Sequence, residues 1–376
     1  MNFTNDTFEI DLYLTKNEWF DQIGSTLTKE IMCLFITTPV SVLGFIFNIV
    51  AYAILSKKIF DKIDFYSYMR MYTLNSIVVN FLSAFLFTAN SNHFFDFSYA
   101  SPIPSYYLSY VYIPMINLCM FFTILIEIVI SIERINSLNR FSHFLLKFKE
   151  ITKHKPRNVG VCILVGCAVI NVQYFFNEEP THADLSLNST TILRMHYIET
   201  SYFSLSLFGT ILNFCTYFIR DVVLLIIQCI LAIISIYLIK KYFKKKKNMI
   251  TNPSVSTTNR ETVYSEVSSL SASRISNRVQ SNVLLIYENI AKADRNMTIM
   301  IVIMGLLSVL EHCLFITFVV LLNFFRSDTA YLLVMFGDLF ISFKHFLNFF
   351  LLYLFNRLFR KELKKTLRIS NGSVDF

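Results

Sequence analysis

The sequence contains few charged residues for its length. Asp, Glu, Lys and Arg make up 16% of its 376 residues, whereas a soluble protein usually carries about a quarter. Hydrophobic residues make up 54% of the chain, and phenylalanine alone occurs 39 times. One or two water-soluble cores cannot bury this much apolar surface, so the surplus must face lipid. The composition therefore excludes a cytosolic enzyme and a secreted disulfide-rich module.

Groupings of residues that hold a metal ion or perform catalysis are also lacking. The seven cysteines lie in apolar stretches, with no Cys-x-x-Cys pair and no Cys–His spacing typical of a metal site. Gly337-Asp338 resembles part of the motif of intramembrane aspartyl proteases, but no second intramembrane aspartate is evident to complete an acid–base dyad. We therefore expect no metal, no cofactor and no enzymatic activity.

What is present is a series of seven apolar segments. They lie at about 31–55, 69–89, 105–132, 158–176, 212–240, 298–324 and 330–352, and each is close to the ~20 residues that cross the hydrocarbon. The sequence thus predicts an all-α integral membrane protein whose seven-transmembrane helix bundle covers 31–352. Residues 1–30 are predicted to be an extracellular N-terminal segment, and residues 353–376 an amphipathic helix and a cytoplasmic tail.

Positive charge predicts the orientation. With the N-terminus outside, the inner segments hold 28 of the 34 Lys and Arg, and the outer segments hold five, including Arg220. Because cytoplasmic loops collect Lys and Arg, we expect a multi-pass plasma-membrane protein with an extracellular N-terminus and a cytoplasmic C-terminus. An eighth span at 202–218 would leave the basic tail outside, so we interpret 200–211 as an outer loop or a helical extension. The net charge of +8 then reflects topology and not binding to nucleic acid.

Segments outside the spans carry further signals. Glycosylation sequons at Asn2, Asn5 and Asn188 fall on the predicted outer side. The predicted cytoplasmic loop 241–297 is rich in Ser and Thr and should be flexible, either as a solvated linker or as a phosphorylated control segment. After the last span, apolar residues on one face and basic residues elsewhere predict a short membrane-surface helix. The apolar face consists of Phe355, Leu358, Phe359, Leu363 and Leu367.

The most informative polar residues lie at the predicted inner end of the third span. Glu133-Arg134-Ile135 places an acid and an arginine where a long apolar helix meets the cytosol. Arg134 alone is equally explained by a side chain that extends to the membrane surface. In a chain with seven spans, however, the pair resembles the Asp/Glu-Arg-Tyr signature of rhodopsin-like (class A) G-protein-coupled receptors, with Ile135 replacing the tyrosine. The resemblance implies that Arg134 pairs with an acid in the inactive receptor and turns to the G protein in the active one.

Other positions are similar to this family, although its motifs are degraded. Gly44 and Asn48 are similar to the family's first-span glycine and asparagine. Asn80 stands where the second span usually has an aspartate, and Asn348 opens a stretch similar to Asn-Pro-x-x-Tyr. The sixth span has neither Trp nor Pro, and no cysteines are placed for the usual extracellular disulfide. Such drift resembles the nematode serpentine chemoreceptor families, and the resemblance covers roughly 31–367.

Ionisable groups inside the spans are expected to face the bundle interior, because charge is costly in lipid. Glu127 lies two turns before Arg134 on one face of the third span, and Lys344 shares a face with Asn348. In the resembling family a sodium ion lies among polar groups, and the matching positions here are Asn80, Thr123, Lys344 and Asn348. We hypothesise that the Lys344 ammonium replaces that ion and pairs with Glu127 or Glu311. The alternative is a purely structural ion pair.

Aromatic residues cluster near the predicted outer mouth. His93, Phe95, Tyr106 and Tyr110 either belong to an interfacial aromatic belt or line a pocket for a small apolar or aromatic ligand. Ile116 occupies the third-span position at which amine receptors carry an aspartate, so a biogenic amine is not expected as the ligand. These five residues are the candidate ligand-binding positions.

Together these patterns predict a chemosensory or orphan receptor that binds an extracellular small molecule or peptide and signals through a heterotrimeric G protein. Membrane lipid is its other expected partner. The alternative from another class is a ligand-gated channel or transporter with inverted topology. Internal repeats, or helices broken by Gly and Pro at mid-membrane, would favour that alternative, and the sequence has neither. A receptor with the fold but without coupling is also compatible with the eroded seventh-span motif.

Overall fold

The computed structural model describes residues 32–61, 63–85, 103–138, 155–188, 191–251, 293, 295–314, 316–317 and 328–370. Within these residues, six helices are long and apolar enough to cross a membrane, judged by length and composition. Their candidate spans are Leu34–Leu55, Tyr107–Asn136, Pro156–Phe175, Leu207–Leu238, Arg295–Leu314 and Phe336–Phe355. Six such helices indicate a mostly helical, multi-pass membrane protein.

Eight main helices and one hairpin make up the described chain. The helices are α1 (Thr38–Leu55), α2 (Asp64–Ala84), α3 (Ile113–Leu138), α4 (Pro156–Asn171), α5 (Leu207–Tyr217 and Leu224–Thr251, joined by a π-helical turn at Phe218–Val223), α6 (Arg295–Leu314), α7 (Asp328–Phe355) and α8 (Arg357–Ser370). The strands are β1 (Glu178–Asn188) and β2 (Thr191–Thr200). Short helical turns occur at Met32–Thr37, Lys58–Phe60, Ile103–Tyr106, Tyr107–Tyr112, Val172–Phe175 and Tyr202–Leu205.

The long helices pack side by side as a bundle. α1 lies against α2 and α7, α2 also contacts α3, α4 and α7, and α3 contacts α4 and α5. α6 is tied to α3, α5 and α7 through side-chain hydrogen bonds. The largest cluster of buried apolar side chains includes Leu55, Phe60 and Phe359. It lies towards the end of the bundle that holds Arg134, which we call the Arg134 end. The opposite end, where β1 contacts the turn Tyr107–Tyr112, is the hairpin end.

α2 is not among the six apolar helices, although the sequence predicts a span at 69–89. Its buried face mixes apolar and aromatic residues with polar ones, which include Thr73, Asn75, Ser76 and Asn80. Leu74 and Phe81 are exposed on the opposite side. Much of the low hydropathy of α2 therefore comes from residues that face other helices, and Asp64 and Arg70 near its beginning also contribute. The helix also begins earlier than predicted, at Asp64, because Phe65 and Tyr66 already pack in the core.

The antiparallel hairpin β1–β2 between α4 and α5 is the exception to the predicted all-α fold. Its strands pair from Glu178 opposite Thr200 to Asn188 opposite Thr191. The beginning of α5 decides between the two interpretations of 200–211, an outer loop or a helical extension. The Ser206 hydroxyl accepts a hydrogen bond from the Gly209 amide at 3.0 Å, which caps α5 at Leu207. Residues 207–211 are thus a helical extension and residues 200–206 are a connection, and among the described residues no separate span lies between the hairpin and α5.

α8 follows α7 as an amphipathic helix. The Asn356 carboxamide oxygen accepts a hydrogen bond from the Phe359 amide at 3.1 Å and so caps the N-terminus of α8. Phe359 and Leu363 are buried, whereas Arg357, Lys361, Lys364 and Lys365 are exposed. A salt bridge of 3.1 Å joins Lys57, after α1, to Glu362 of α8. Leu367, predicted for the apolar face, is exposed.

Gly44 allows α1 and α2 to approach closely, and its replacement tests this packing. A Cβ atom at Gly44 would lie 2.7 Å from the Asn80 carboxamide. We expect Gly44→Val to destabilise the purified protein by about 1–3 kcal/mol because the helices must separate. Thermal unfolding in detergent measures this change. Gly166→Ala is the control, because no atom lies within 4 Å of its added Cβ. Equal melting temperatures for the two variants would contradict the packing.

Candidate functional site

Lys344 lies in the middle of α7 with only 2% of its surface exposed. Its ammonium nitrogen is 2.7 Å from a Glu311 carboxylate oxygen on α6 and 3.2 Å from a Glu127 carboxylate oxygen on α3. The ammonium therefore bridges both acids that the sequence offered as alternatives. Because a charge in a membrane interior is tolerated only when it is paired, these contacts hold α3, α6 and α7 together at mid-depth.

Two neutral side chains extend this arrangement into a network. Ser308 of α6 receives a hydrogen bond from Lys344 and donates its own to Glu127. Gln228 of α5 donates to the same Glu127 oxygen. We call Glu127, Gln228, Ser308, Glu311 and Lys344 the Lys344 network. The network pairs one charged side chain from each of α3, α6 and α7, and Gln228 adds a contact from a fourth helix, α5.

The other residues predicted for the polar core do not join this network. Asn348 of α7 donates to the Asn48 carboxamide at 2.8 Å and to the Thr73 hydroxyl at 3.2 Å. Asn48 donates to the backbone oxygen of His345 at 2.9 Å, which links α1 to α7. The structure thus divides the predicted set into a charged network and a separate neutral belt.

Thr123 and Asn80 form two further local contacts. Thr123 of α3 accepts a hydrogen bond of 2.7 Å from Asn75 of α2. The Asn80 amide group donates to the Ser76 backbone oxygen at 3.0 Å and lies beside Gly44. Both residues are buried, as the prediction of an interior polar core requires. Asn75 is the partner that the sequence interpretation missed.

A second buried ion pair was not predicted. The sequence interpretation assigned Arg220 to an outer segment, but its side chain is fully buried in α5. The guanidinium makes two hydrogen bonds to the next residue, Asp221, at 2.8 and 2.9 Å. Consecutive side chains of an α-helix normally point in different directions, and the π-helical turn Phe218–Val223 changes that geometry. An Arg–Asp pair inside an apolar run was the signal available in the sequence.

Contacts from α3 and α6 complete this second cluster. Arg220 donates to the Asn117 carboxamide on α3, and its guanidinium lies 5.2 Å from the Tyr217 ring centroid. His312 of α6 places its Nδ1 atom 2.9 Å from Asp221. We call Asn117, Arg220, Asp221 and His312 the Arg220 cluster. Since His312 follows Glu311, α6 contributes adjacent residues to both ionic groups.

Asp221 is the second intramembrane aspartate that the sequence interpretation did not find. Arg220 and His312 occupy its oxygens, whereas Asp338 accepts a hydrogen bond from Tyr112. Among the described residues, no three His, Cys, Asp or Glu side chains are grouped as metal ligands. The two aspartates therefore belong to different parts of the bundle.

Arg134 connects α3 to the beginning of α6. Its Nε–H donates to the Thr298 hydroxyl at 2.9 Å, and both side chains are buried. Ile135 is buried beside it, whereas Glu133 is half-buried. The Glu133-Arg134-Ile135 motif thus lies at a helix–helix contact.

The residues proposed for ligand binding are scattered. His93 and Phe95 lie outside the described residues, as do the sequons Asn2 and Asn5, and Asn188 ends β1. Tyr106 and Tyr110 are 52% and 38% exposed, with ring centroids 5.8 Å apart, which favours the aromatic belt for this pair. Ile116 is buried in an apolar cluster. Tyr107 and Tyr112, in the same segment, instead donate hydrogen bonds to the Leu82 backbone oxygen and to Asp338 respectively.

Removal of the Lys344 ammonium tests the energetic role of the network. Lys344→Met leaves two buried carboxylates without a cation, so we expect a loss of about 3–5 kcal/mol in stability. Glu311→Gln should cost less because Glu127 still neutralises the ammonium, and Lys344→Met/Glu311→Gln should recover part of the loss. Thermal unfolding of the purified variants measures the order.

A matched control is Lys57→Met, which removes a surface ion pair worth about 0–1 kcal/mol. If Lys344→Met were no less stable than this control, the network would not hold the bundle together.

The chain matches no protein-family model and no curated protein. What the chain does must therefore be inferred from the geometry of these buried polar groups, because no relative supplies a function by comparison.

Proposed function

We propose that the chain is a seven-span plasma-membrane receptor of the rhodopsin-like type, similar to the nematode chemoreceptors. It senses an extracellular chemical and signals through a heterotrimeric G protein. In this proposal the N-terminus and the hairpin end are extracellular, and the Arg134 end is cytoplasmic. The six apolar helices support a multi-pass membrane protein, and the receptor assignment goes beyond them.

The packing of α2 supports counting it as the seventh span. Asn75 and Ser76 bond to α3 and α7, so the polar groups of α2 find partners within the bundle. Leu74 and Phe81 remain on the surface that would face lipid. A helix surrounded by partners in this way can cross a membrane without being apolar on all sides.

The distribution of charge supports the orientation. Arg134 and the exposed cations of α8 lie at one end of the bundle, together with Lys57 and Lys58 after α1. An anionic cytoplasmic leaflet attracts such residues. α8 can then lie along that leaflet, with Phe359 and Leu363 buried against the bundle.

The hydrogen bond between Arg134 and Thr298 is the observation that carries the proposal. It closes the Arg134 end by joining α3 to α6. A receptor of this kind must open a crevice between helices before a G protein can enter, so the closed contact represents the inactive state. Further from that end, the Lys344 network joins the same two helices to α7. A change at the hairpin end can therefore reach the Arg134 end through α3, α6 and α7.

Basal signalling provides a test that needs no ligand. We expect Thr298→Val to raise basal G-protein activation up to about tenfold, because a hydrogen bond to a charged group contributes about 1.5 kcal/mol to the closed state. Arg134→Ala should reduce activation to background, because the proposed contact with the G protein is lost. Energy transfer between the full-length protein and each class of Gα subunit in living cells measures both effects.

Thr317→Val is the matched control, because the Thr317 hydroxyl bonds to the Cys313 backbone oxygen four residues earlier in the same helical region. It should leave basal activation unchanged at equal surface expression. Absence of a response from every Gα class, for the wild type and for Thr298→Val, would contradict G-protein coupling. A membrane current recorded from the same cells would then identify the channel alternative.

A further inference from the structure

Asp338 of α7 differs from the other carboxylates inside the bundle. Glu127 and Glu311 contact Lys344, and Asp221 contacts Arg220. Within the described part of the chain, Asp338 has a single hydrogen-bond partner, the Tyr112 hydroxyl at 3.1 Å, and no cation. An ionisable side chain in a membrane span without a partner charge is a candidate for binding a ligand.

The surroundings of Asp338 are aromatic. Tyr112 is buried, and its ring centroid lies 6.2 Å from that of Tyr107. The Tyr107 hydroxyl donates to the Leu82 backbone oxygen at 2.6 Å, so this ring is held in place from α2. Aromatic rings beside a carboxylate attract organic cations through the negative potential of their faces. The same rings offer few ligands to a metal ion, which prefers several oxygens.

Two buried hydroxyls that are close to this pair along the chain have unused hydrogen-bonding capacity. Ser342 lies four residues after Asp338 on the same face of α7. Ser109 lies three residues before Tyr112 in the same π-helical turn. Both are fully buried, and among the described residues neither hydroxyl has a hydrogen-bond partner. Because buried polar groups are normally paired, a bound molecule with polar atoms would satisfy them.

We infer that Asp338, Tyr112, Ser109 and Ser342 form a binding site for a small organic cation that carries a protonated amine. The ammonium group contacts the Asp338 carboxylate, and the two serine hydroxyls bond to other polar atoms of the ligand. The organic cation would be the ligand of the proposed receptor. Only its role as a signal rests on that proposed function. The sequence predicts no amine ligand, because Ile116 of α3 stands where amine receptors carry an aspartate. In the inferred site, α7 provides the negative charge instead.

The experiment compares charged and uncharged probes on the purified full-length protein. The probes are primary amines from methylamine to tyramine, each paired with an analogue in which a methyl group replaces the ammonium. We expect at least one amine to raise the melting temperature of the wild type in a concentration-dependent manner and its uncharged analogue to have no such effect. Asp338→Asn should weaken the apparent affinity about 10- to 100-fold, as expected for the loss of a charged partner.

Two further variants separate binding from folding. Asp61→Asn makes the same chemical change at an exposed salt bridge and should leave amine binding unchanged. Tyr112→Phe removes the hydrogen bond to Asp338 but keeps its charge, so it should weaken amine binding less than Asp338→Asn does. The inference is wrong if no amine stabilises the wild type more than its uncharged analogue does. It is also wrong if Asp338→Asn binds as tightly as the wild type, because the carboxylate then only accepts a bond from Tyr112.

This binding measurement contains no G protein, so its result is independent of coupling. Amine binding that depends on Asp338, without any response from Gα subunits, would support the site and contradict the proposed signalling. Basal G-protein activation that responds to Thr298→Val, without amine binding, would support the receptor and contradict the site.

Discussion

The ammonium of Lys344 and its two carboxylate partners impose the strongest constraint on this fold. A lysine in the middle of an apolar helix is stable only where opposite charge reaches it, and Glu127 and Glu311 meet this need from two other helices. α3, α6 and α7 must therefore lie side by side at one depth. Asp221 of α5 is paired in a similar way, with Arg220 of its own helix and with His312 of α6. Charge pairing thus makes neighbours of α3, α5, α6 and α7, because lipid supplies no hydrophobic force between helices.

The polar interior also explains why α2 differs from its neighbours. Asparagine, serine and threonine side chains on α2 bond to α3 and α7, and the neutral belt of Asn48 and Asn348 joins α1 to α7. A bundle held together in this way can include a helix whose average hydropathy is low. Whether a helix can lie within the membrane depends on the partners of its polar residues and not on its average hydropathy alone.

The sequence could predict the parts of this arrangement that follow from helical periodicity and from the cost of charge in lipid. Glu127 and Lys344 are predictable as interior groups because each interrupts an apolar segment, and Arg134 shares a helix face with Glu127. Arg220 was misassigned, because a count of positive charge by segment cannot distinguish a loop arginine from one paired with the next residue at a π-helical turn. The hairpin was missed for a different reason. The alternation of apolar and polar residues, which is the usual sequence signal of a strand, covers only part of each segment, Glu178–Asn188 and Thr191–Thr200.

Three contacts at successive depths connect the proposed ligand end to the proposed G-protein end. They are Asp338 with Tyr112, Lys344 with Glu127 and Glu311, and Arg134 with Thr298. α3 takes part in two of these contacts and leads directly from the helical turn that holds Tyr112, so a shift of α3 relative to α6 and α7 would be felt at both ends. This path can lead from an extracellular ligand to a G protein only if the chain crosses the membrane seven times and the Arg134 end lies in the cytosol.

The two termini must then lie on opposite sides of the membrane, and glycosylation reports their sides directly. The natural sequons at Asn2 and Asn5 mark one terminus, and a further sequon, Asn371-Gly-Ser, marks the other on the side predicted to be cytoplasmic. The seven-span receptor predicts a glycosidase-sensitive mass shift of the full-length protein that is reduced by Asn2→Gln/Asn5→Gln and unaffected by Asn371→Gln. A shift that depends on Asn371 would contradict it, because the chain would then have either an even number of spans or an inverted bundle.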